Sequence, residues 1–221
     1  MIKNYKKTIK VIGFDFDQTL YPKSPEIDSV IQIYIYKKIA KHKKCDLMQA
    51  EKLFKDLYRD GNGLSGSKTL LALGILNGKD IVQEALENAD INKFLKPDPR
   101  IAEFLDLTKK QYKNIDIITG SKMSNVILKL KKINIKESIF NNIFDASRAS
   151  KSDGSAFRVW MNFYPSYTPQ NFLYIGDRVS SDHLIPKKLG IQTILVNIKN
   201  TDPQLKCLQL KSLEELRKYL F

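Results

Sequence analysis

Two aspartates stand one residue apart in the stretch KVIGFDFDQTLYP, residues 10–22. Asp15 and Asp17 come directly after an apolar run, Val11 to Phe14, of the kind that forms a buried strand. Buried carboxylates are costly unless something offsets their charge, so the pair demands a partner. Further along, Thr119, Gly120 and Ser121 come after the apolar IDII, Lys151 opens KSDGSAF, and Asp177 and Asp182 come after FLYIG in GDRVSSD. Four acids, a hydroxyl and a lysine suit a hard divalent cation. Mg2+ takes oxygen ligands in near-octahedral geometry, keeps waters and accepts phosphate oxygens. Side chains two apart on extended backbone point to the same side. One aspartate of the pair can therefore hold metal and attack, while the other manages a proton. Thr119 and the N–H groups near it can hold phosphoryl oxygens, and Lys151 can neutralise charge on the nucleophile and the phosphoryl group.

These residues meet only if the strands that end on them lie side by side. The apolar runs predict strands over 9–16, 115–119, 140–144, 172–176 and 192–196. Helical patterns fall between and after them, at about 99–112, 122–133, 155–164, from about Ser180, and over SLEELRKYL. Alternation of this kind predicts an α/β fold with a doubly wound parallel sheet, and ligands of such sheets bind beyond the carboxyl ends of the strands. Residues 24 to about 90 read as all-helical. Ser24 and Pro25 look like an N-cap and first helical residue, and Asp46 with Gln49 like a capping box. The expected organisation is a core from residues 1–20 and 99–221, with 21–98 inserted as a helical cap.

The ordered set of DFDQT, Thr119, Lys151 and GDRVSSD resembles the four motifs of the haloacid dehalogenase-like (HAD) hydrolases, over essentially the whole chain. The resemblance implies a Rossmann-like core, Mg2+ and a phosphoaspartyl intermediate. It implies Asp15 as nucleophile and Asp17 as general acid/base, with the backbone carbonyl of Asp17 as a metal ligand. Asp177 matches the acidic metal ligand, and Asp182 is a supporting carboxylate of the metal set. Thr119, Gly120, Ser121 and Lys151 are expected to bind the phosphoryl group. An acid at position 17 separates phosphatase-type members from the dehalogenases proper. DFDQTLYP, FLKPDPRIAEFL and KSDGSAF look more narrowly like the pyrimidine 5'-nucleotidase-type subgroup, with Gln18 in place of its usual Asn and Ser152 where Pro is common. The resemblance thus implies a Mg2+-dependent phosphatase for a small phosphate monoester. A nucleoside monophosphate is the first substrate expected, and a sugar phosphate or other metabolite the second. The cap is expected to exclude large substrates. A non-catalytic binding protein on the same fold is the alternative, and the filled catalytic positions argue against it.

The formal net charge of +13 raises the question of nucleic acid. The excess is 31 Lys against 6 Arg, scattered along the chain. Arg, not Lys, dominates base-edge and bidentate phosphate recognition, so a Lys-rich surface without a specific nucleic-acid partner is expected. No apolar run is long enough to span a membrane, and two lone cysteines, Cys45 and Cys207, make no disulfide framework, so a cytoplasmic protein is expected. Other residues carry plainer readings. Lys122 and Lys129 compete with Lys151, Asp153 reads as a helix cap, and Trp160, Phe157 and Phe163 as core. His183 and His42 have no second His near them to build a metal site. Gly61, Gly63 and Gly66 make either a turn or a loop over the site, with Arg59, Asn62 and Lys68 as the residues to test for substrate contact.

Overall fold

The computed structural model describes residues 8–22, 24–59, 63–88, 91 and 93–221; Gly61 and Asn62 of the glycine-rich loop lie outside them. The chain forms two compact units, Met1–Lys23 with Leu95–Phe221, and Ser24–Phe94.

The larger unit holds a six-stranded, fully parallel sheet. Its strands are β1 (Val11–Phe14), β2 (Asn114–Ile118), β3 (Asn142–Phe144), β4 (Phe172–Gly176), β5 (Gln192–Leu195) and β6 (Leu208–Gln209), in the order β3-β2-β1-β4-β5-β6. This is the Rossmann-like doubly wound order, with β1 at the centre. Strand β1 is buried along its length, as strands covered on both faces must be. Asp15 falls just past its last residue rather than inside it. The two-residue β6 was not expected from the sequence, being too short to show any periodicity.

Gly13 shows why these residues pack as they do. A Cβ there would stand 2.5 Å from Ile118 and 2.7 Å from the ring of Trp160. Trp160 lies on the helix Ser155–Asn162 and is fully buried against Phe172, with ring centroids 4.9 Å apart. Its indole N–H donates to Asp116, a carboxylate buried in the middle of β2, at 2.8 Å. Tyr164 O–H and Asn142 Nδ2 donate to the same carboxylate at 2.8 and 2.9 Å. Burial pushes the Asp116 carboxyl above its ordinary range despite these donors.

The smaller unit is helical: α1 (Pro25–Lys43), α2 (Leu47–Tyr58), α3 (Gly66–Ala72) and α4 (Gly78–Asn88). Ser24 caps α1 by accepting the Ile27 N–H, and Asp46 caps α2 by accepting that of Gln49 at 2.8 Å. Ile35, Tyr36, Ile39, Phe54, Leu70 and Ile81 form its core. Within the stretch expected to be all-helical, α3 stops at Ala72, and Gly74 turns the chain at φ +79°. Arg59 is the left-handed C-cap of α2 and Lys68 lies exposed on α3. His42 is exposed near the end of α1. Among the described residues, no helix is long and apolar enough to cross a membrane.

The remaining helices belong to the larger unit: α5 (Pro99–Gln111), α6 (Met123–Lys132), α7 (Ser155–Asn162), α8 (Ile185–Lys188) and α9 (Arg217–Leu220). The helix expected from Ser180 begins as a π-helical turn over Val179–Leu184 before α8, and such turns concentrate at functional sites. The expected C-terminal helix is a 3-10 turn at Glu214–Leu216 followed by α9.

Candidate active site

All strands run the same way, so their carboxyl ends share one edge. Asp15 leaves β1 there, Thr119 leaves β2, Asp145 leaves β3 and Asp177 leaves β4. Asp15, Asp177 and Asp182 are all buried, and each offers a carboxylate oxygen within 4.8 Å of the others'. The side chain of Asp17 is not part of this triad. His183 is not either: its Nδ1 sits 2.6 Å from the Thr193 hydroxyl on β5, and burial lowers its pKa.

Lys151 bridges two members of the triad. Its Nζ donates to Asp15 Oδ1 at 2.6 Å, to Asp182 Oδ1 at 2.9 Å and to the Tyr174 hydroxyl at 3.2 Å. Tyr174 is itself anchored, donating to the Ile118 carbonyl at 2.8 Å. Burial alone would lower the Lys151 pKa, but Asp15 and Asp182 outweigh it and hold the ammonium above its ordinary range.

Asp182 has little acceptor capacity to spare. Oδ1 takes Lys151 and, at 3.0 Å, the Ser181 hydroxyl; Oδ2 takes the backbone N–H groups of Asp177 and Arg178 at 3.2 and 3.0 Å. A carboxylate offers about four lone-pair sites, so these donors fill it. The approach is close because position 176 is glycine: a Cβ there would lie 2.5 Å from that of Asp182.

The negative charge gathered at the triad suits a divalent cation. Three buried carboxylates face one ammonium. Burial pushes the Asp15 carboxyl up to about 7 even with Lys151 beside it, and Asp182 and Asp177 push the same way. A hard cation accepted by oxygen donors is what such a deficit of positive charge suits.

Asp17 has a separate set of partners. The Lys129 Nζ donates to its Oδ1 at 2.6 Å, as does the Tyr21 hydroxyl at 2.6 Å. The Ser121 hydroxyl donates to its Oδ2. Burial would raise the Asp17 pKa, but Lys129, Ser121 and Tyr21 together hold it below the ordinary carboxylate range. Ser121, expected to meet substrate, thus spends its hydroxyl on Asp17. Thr119 accepts the Ser121 N–H at 3.1 Å, which leaves its own proton to donate. Gly120 is exposed, with nothing within 4 Å of where a Cβ would stand.

Two loops are shaped around these groups. Gln18 lies in the left-handed region at φ +60°, a conformation in which Asn is favoured, and Asn197 donates to its carbonyl at 2.7 Å. Asp145 accepts the Met123 N–H at the start of α6, at 2.9 Å. Asp153 accepts the Ser155 N–H at 2.8 Å but stands one residue before the N-cap of α7, which is Gly154. The sequence points to neither Tyr174 nor Tyr21, and offers Lys129 only as a rival to Lys151, not as a partner of Asp17. For Lys129 a signal existed: it shares the apolar stripe of Val126, Leu130 and Ile133, where a lysine is out of place.

The profile of the haloacid dehalogenase-like hydrolases matches residues 12–196. No curated protein matches the chain. Among solved structures, a HAD phosphatase from Thermococcus onnurineus superposes with a TM-score of 0.66 at 19% identity, over 96% of this chain and 98% of that one. A 2-haloacid dehalogenase from Pseudomonas syringae pv. Tomato DC3000 gives 0.54 at 16% identity, over 96% and 98%. YfnB of Bacillus subtilis, assigned as a HAD-hydrolase and solved bound to magnesium, gives 0.63 at 15% identity, over 97% and 99%. At these identities the likeness to solved structures is one of fold.

Proposed function

The chain belongs to the haloacid dehalogenase-like hydrolase family, and from that premise we propose that it hydrolyses small phosphate monoesters with Mg2+, through a phosphoaspartyl intermediate on Asp15. The observation that carries this reading is the second carboxylate. Asp17 stands outside the buried triad with a lysine of its own, so one acid is free for proton work while another serves metal and phosphorus. A halide leaves as a weak base and needs no proton. The alkoxide of a phosphate monoester does, which favours a phosphatase over a dehalogenase.

In the first step a carboxylate oxygen of Asp15 bonds to phosphorus as the bond to the leaving oxygen breaks, and Asp17, which must first take up a proton from solvent against the pull of Lys129, Ser121 and Tyr21, passes it to that oxygen. In the second, Asp17 takes a proton from water, which attacks phosphorus and breaks the bond to Asp15. Lys151 offsets charge on Asp15 and on the phosphoryl oxygens, and Thr119 donates to them. Asp15, Asp177 and the backbone carbonyl of Asp17 would hold Mg2+, which supplies Lewis-acid charge against the phosphoryl oxygens when bound. Asp182, filled by its own donors, orients Lys151 instead of ligating. Magnesium in the YfnB structure supports the choice of ion. A nucleoside monophosphate is the first substrate to assay, on the resemblance of DFDQTLYP and KSDGSAF, and a sugar phosphate the second.

Phosphoenzyme labelling tests the roles. Asp15→Asn is expected to abolish both turnover and the acid-stable, base-labile label from acetyl phosphate. Asp17→Asn is expected to be labelled still and to lose the label slowly, with turnover down about 10²- to 10⁴-fold. A label that survives in Asp15→Asn and is lost in Asp17→Asn reverses the roles.

A further inference from the structure

Lys129 is an unusual residue to find where it is. Its side chain is 2% exposed, on the inner face of α6 beside Val126 and Leu130. Lysine is almost never buried so completely without a reason, because its ammonium must give up water. Its partner is Asp17, at 2.6 Å. A leucine at this position would pack the same stripe without that cost, so the lysine points to work on Asp17 and not to stability.

The geometry at Asp17 says what that work is. Each carboxylate oxygen has about two lone pairs. Both on Oδ1 are taken, by Lys129 and by Tyr21. On Oδ2 one is taken, by Ser121, and one remains. The Asp17 side chain is still 17% exposed, so part of it stays open to solvent despite these three donors. We propose that Lys129 and Tyr21 are positioning residues that lock Oδ1 of Asp17 and assign Oδ2 as the oxygen that exchanges the proton with leaving group and water. The proposal rests on the reading of Asp17 as general acid/base. It gives the two lysines of the site different partners and different work, Lys151 serving the nucleophile and Lys129 the proton carrier.

The test separates proton delivery from general damage by comparing leaving groups in single-turnover phosphoenzyme formation. Acetyl phosphate expels acetate, which needs little protonation. The second donor is the alkyl phosphate that wild type hydrolyses fastest, which expels an alkoxide. Lys129→Met keeps the volume and removes the charge. It is expected to slow formation from the alkyl phosphate by about 10²-fold and from acetyl phosphate by only a few-fold, and to slow decay of the phosphoenzyme. Tyr21→Phe, which removes only one hydroxyl, is expected to show the same selectivity at about 10-fold and covers the case of a Lys129→Met protein that does not fold. In an Asp17→Asn background, Lys129→Met should add no further selectivity. Equal slowing with both donors, or no slowing with either, overturns the proposal. Should Asp17→Asn itself show no leaving-group selectivity, the reading of Asp17 fails. Should it show selectivity while Lys129→Met and Tyr21→Phe do not, only the positioning role fails.

Discussion

Gly176→Ala is expected to disable the site from beneath. The new Cβ would stand 2.5 Å from Asp182 Cβ and 2.6 Å from its Cγ and Oδ2. Asp182 is fully buried and cannot swing into solvent. Relief must come from moving the carboxylate off the N–H groups of Asp177 and Arg178, or from shifting β4. Overpacking of this kind costs about 1–3 kcal/mol. Loss of one hydrogen bond to a charged group adds about 1.5–3 kcal/mol. The sum, roughly 2.5–6 kcal/mol, is a large part of the 5–15 kcal/mol that holds a typical domain. The same movement loosens the grip of Asp182 on Lys151, and a misplacement of about 1 Å can cost on the order of 10²-fold in rate. Urea unfolding of metal-free protein measures the first effect and phosphate release the second. Gly120→Ala is the control, since nothing lies within 4 Å of its Cβ position; its stability should change by no more than about 0.5 kcal/mol. If Gly176→Ala unfolds within about 1 kcal/mol of wild type, the close approach of Asp182 does not constrain this position and the steric reasoning is refuted.

Two other expectations concern buried acids. Metal-free protein should lose stability as pH rises from about 4 to about 7, because folded Asp15 titrates near 7 against 3.8 unfolded and keeps a proton that the unfolded chain gives up. The slope from this group is at most about 1.4 kcal/mol per pH unit, should vanish in Asp15→Asn and should flatten in saturating Mg2+. Parallel pH profiles for wild type and Asp15→Asn, measured by urea unfolding, would contradict it. Asp116→Ala strips the acceptor from Trp160, Tyr164 and Asn142 and should cost about 2–5 kcal/mol by the same assay; an unchanged midpoint would show that the network contributes nothing.

Much of the fold was legible because each core strand carries its own signal. Val11–Phe14 and Phe172–Gly176 are continuous apolar runs with acids directly after them, and parallel strands must place those ends together. Three of the four aspartates, with Lys151, do meet at one edge. What was not legible depends on contacts between distant segments. Lys129 sits near Lys122, Lys131 and Lys132, and although its place on the apolar stripe marks it as the one pointing inward, its partner Asp17 lies 112 residues back in the chain. Tyr174 reads as an ordinary strand residue until its hydroxyl is seen under Lys151. The need for glycine at 176 comes from a carboxylate six residues on, brought back by a π-helical turn that leaves no periodic trace. Asp116 breaks an apolar strand in plain view, but its donors come from Asn142, Trp160 and Tyr164, far along the chain.

The central place of β1 has a consequence for how the chain acquires its shape. Gly13 pairs with Asp116 on one side and with Tyr174 on the other, so the first strand made waits for partners made much later. Contacts of such long range are slow to form, because the intervening chain must be closed into a loop first. The helices of Ser24–Phe94 need no such wait, since they share a core of their own. During synthesis they are expected to fold first, with an apolar VIGF segment and its aspartates left unpaired until β2 emerges, and paired on one side only until β4 follows. That interval is when this chain is most exposed to aggregation, and when a chaperone would have most to hold.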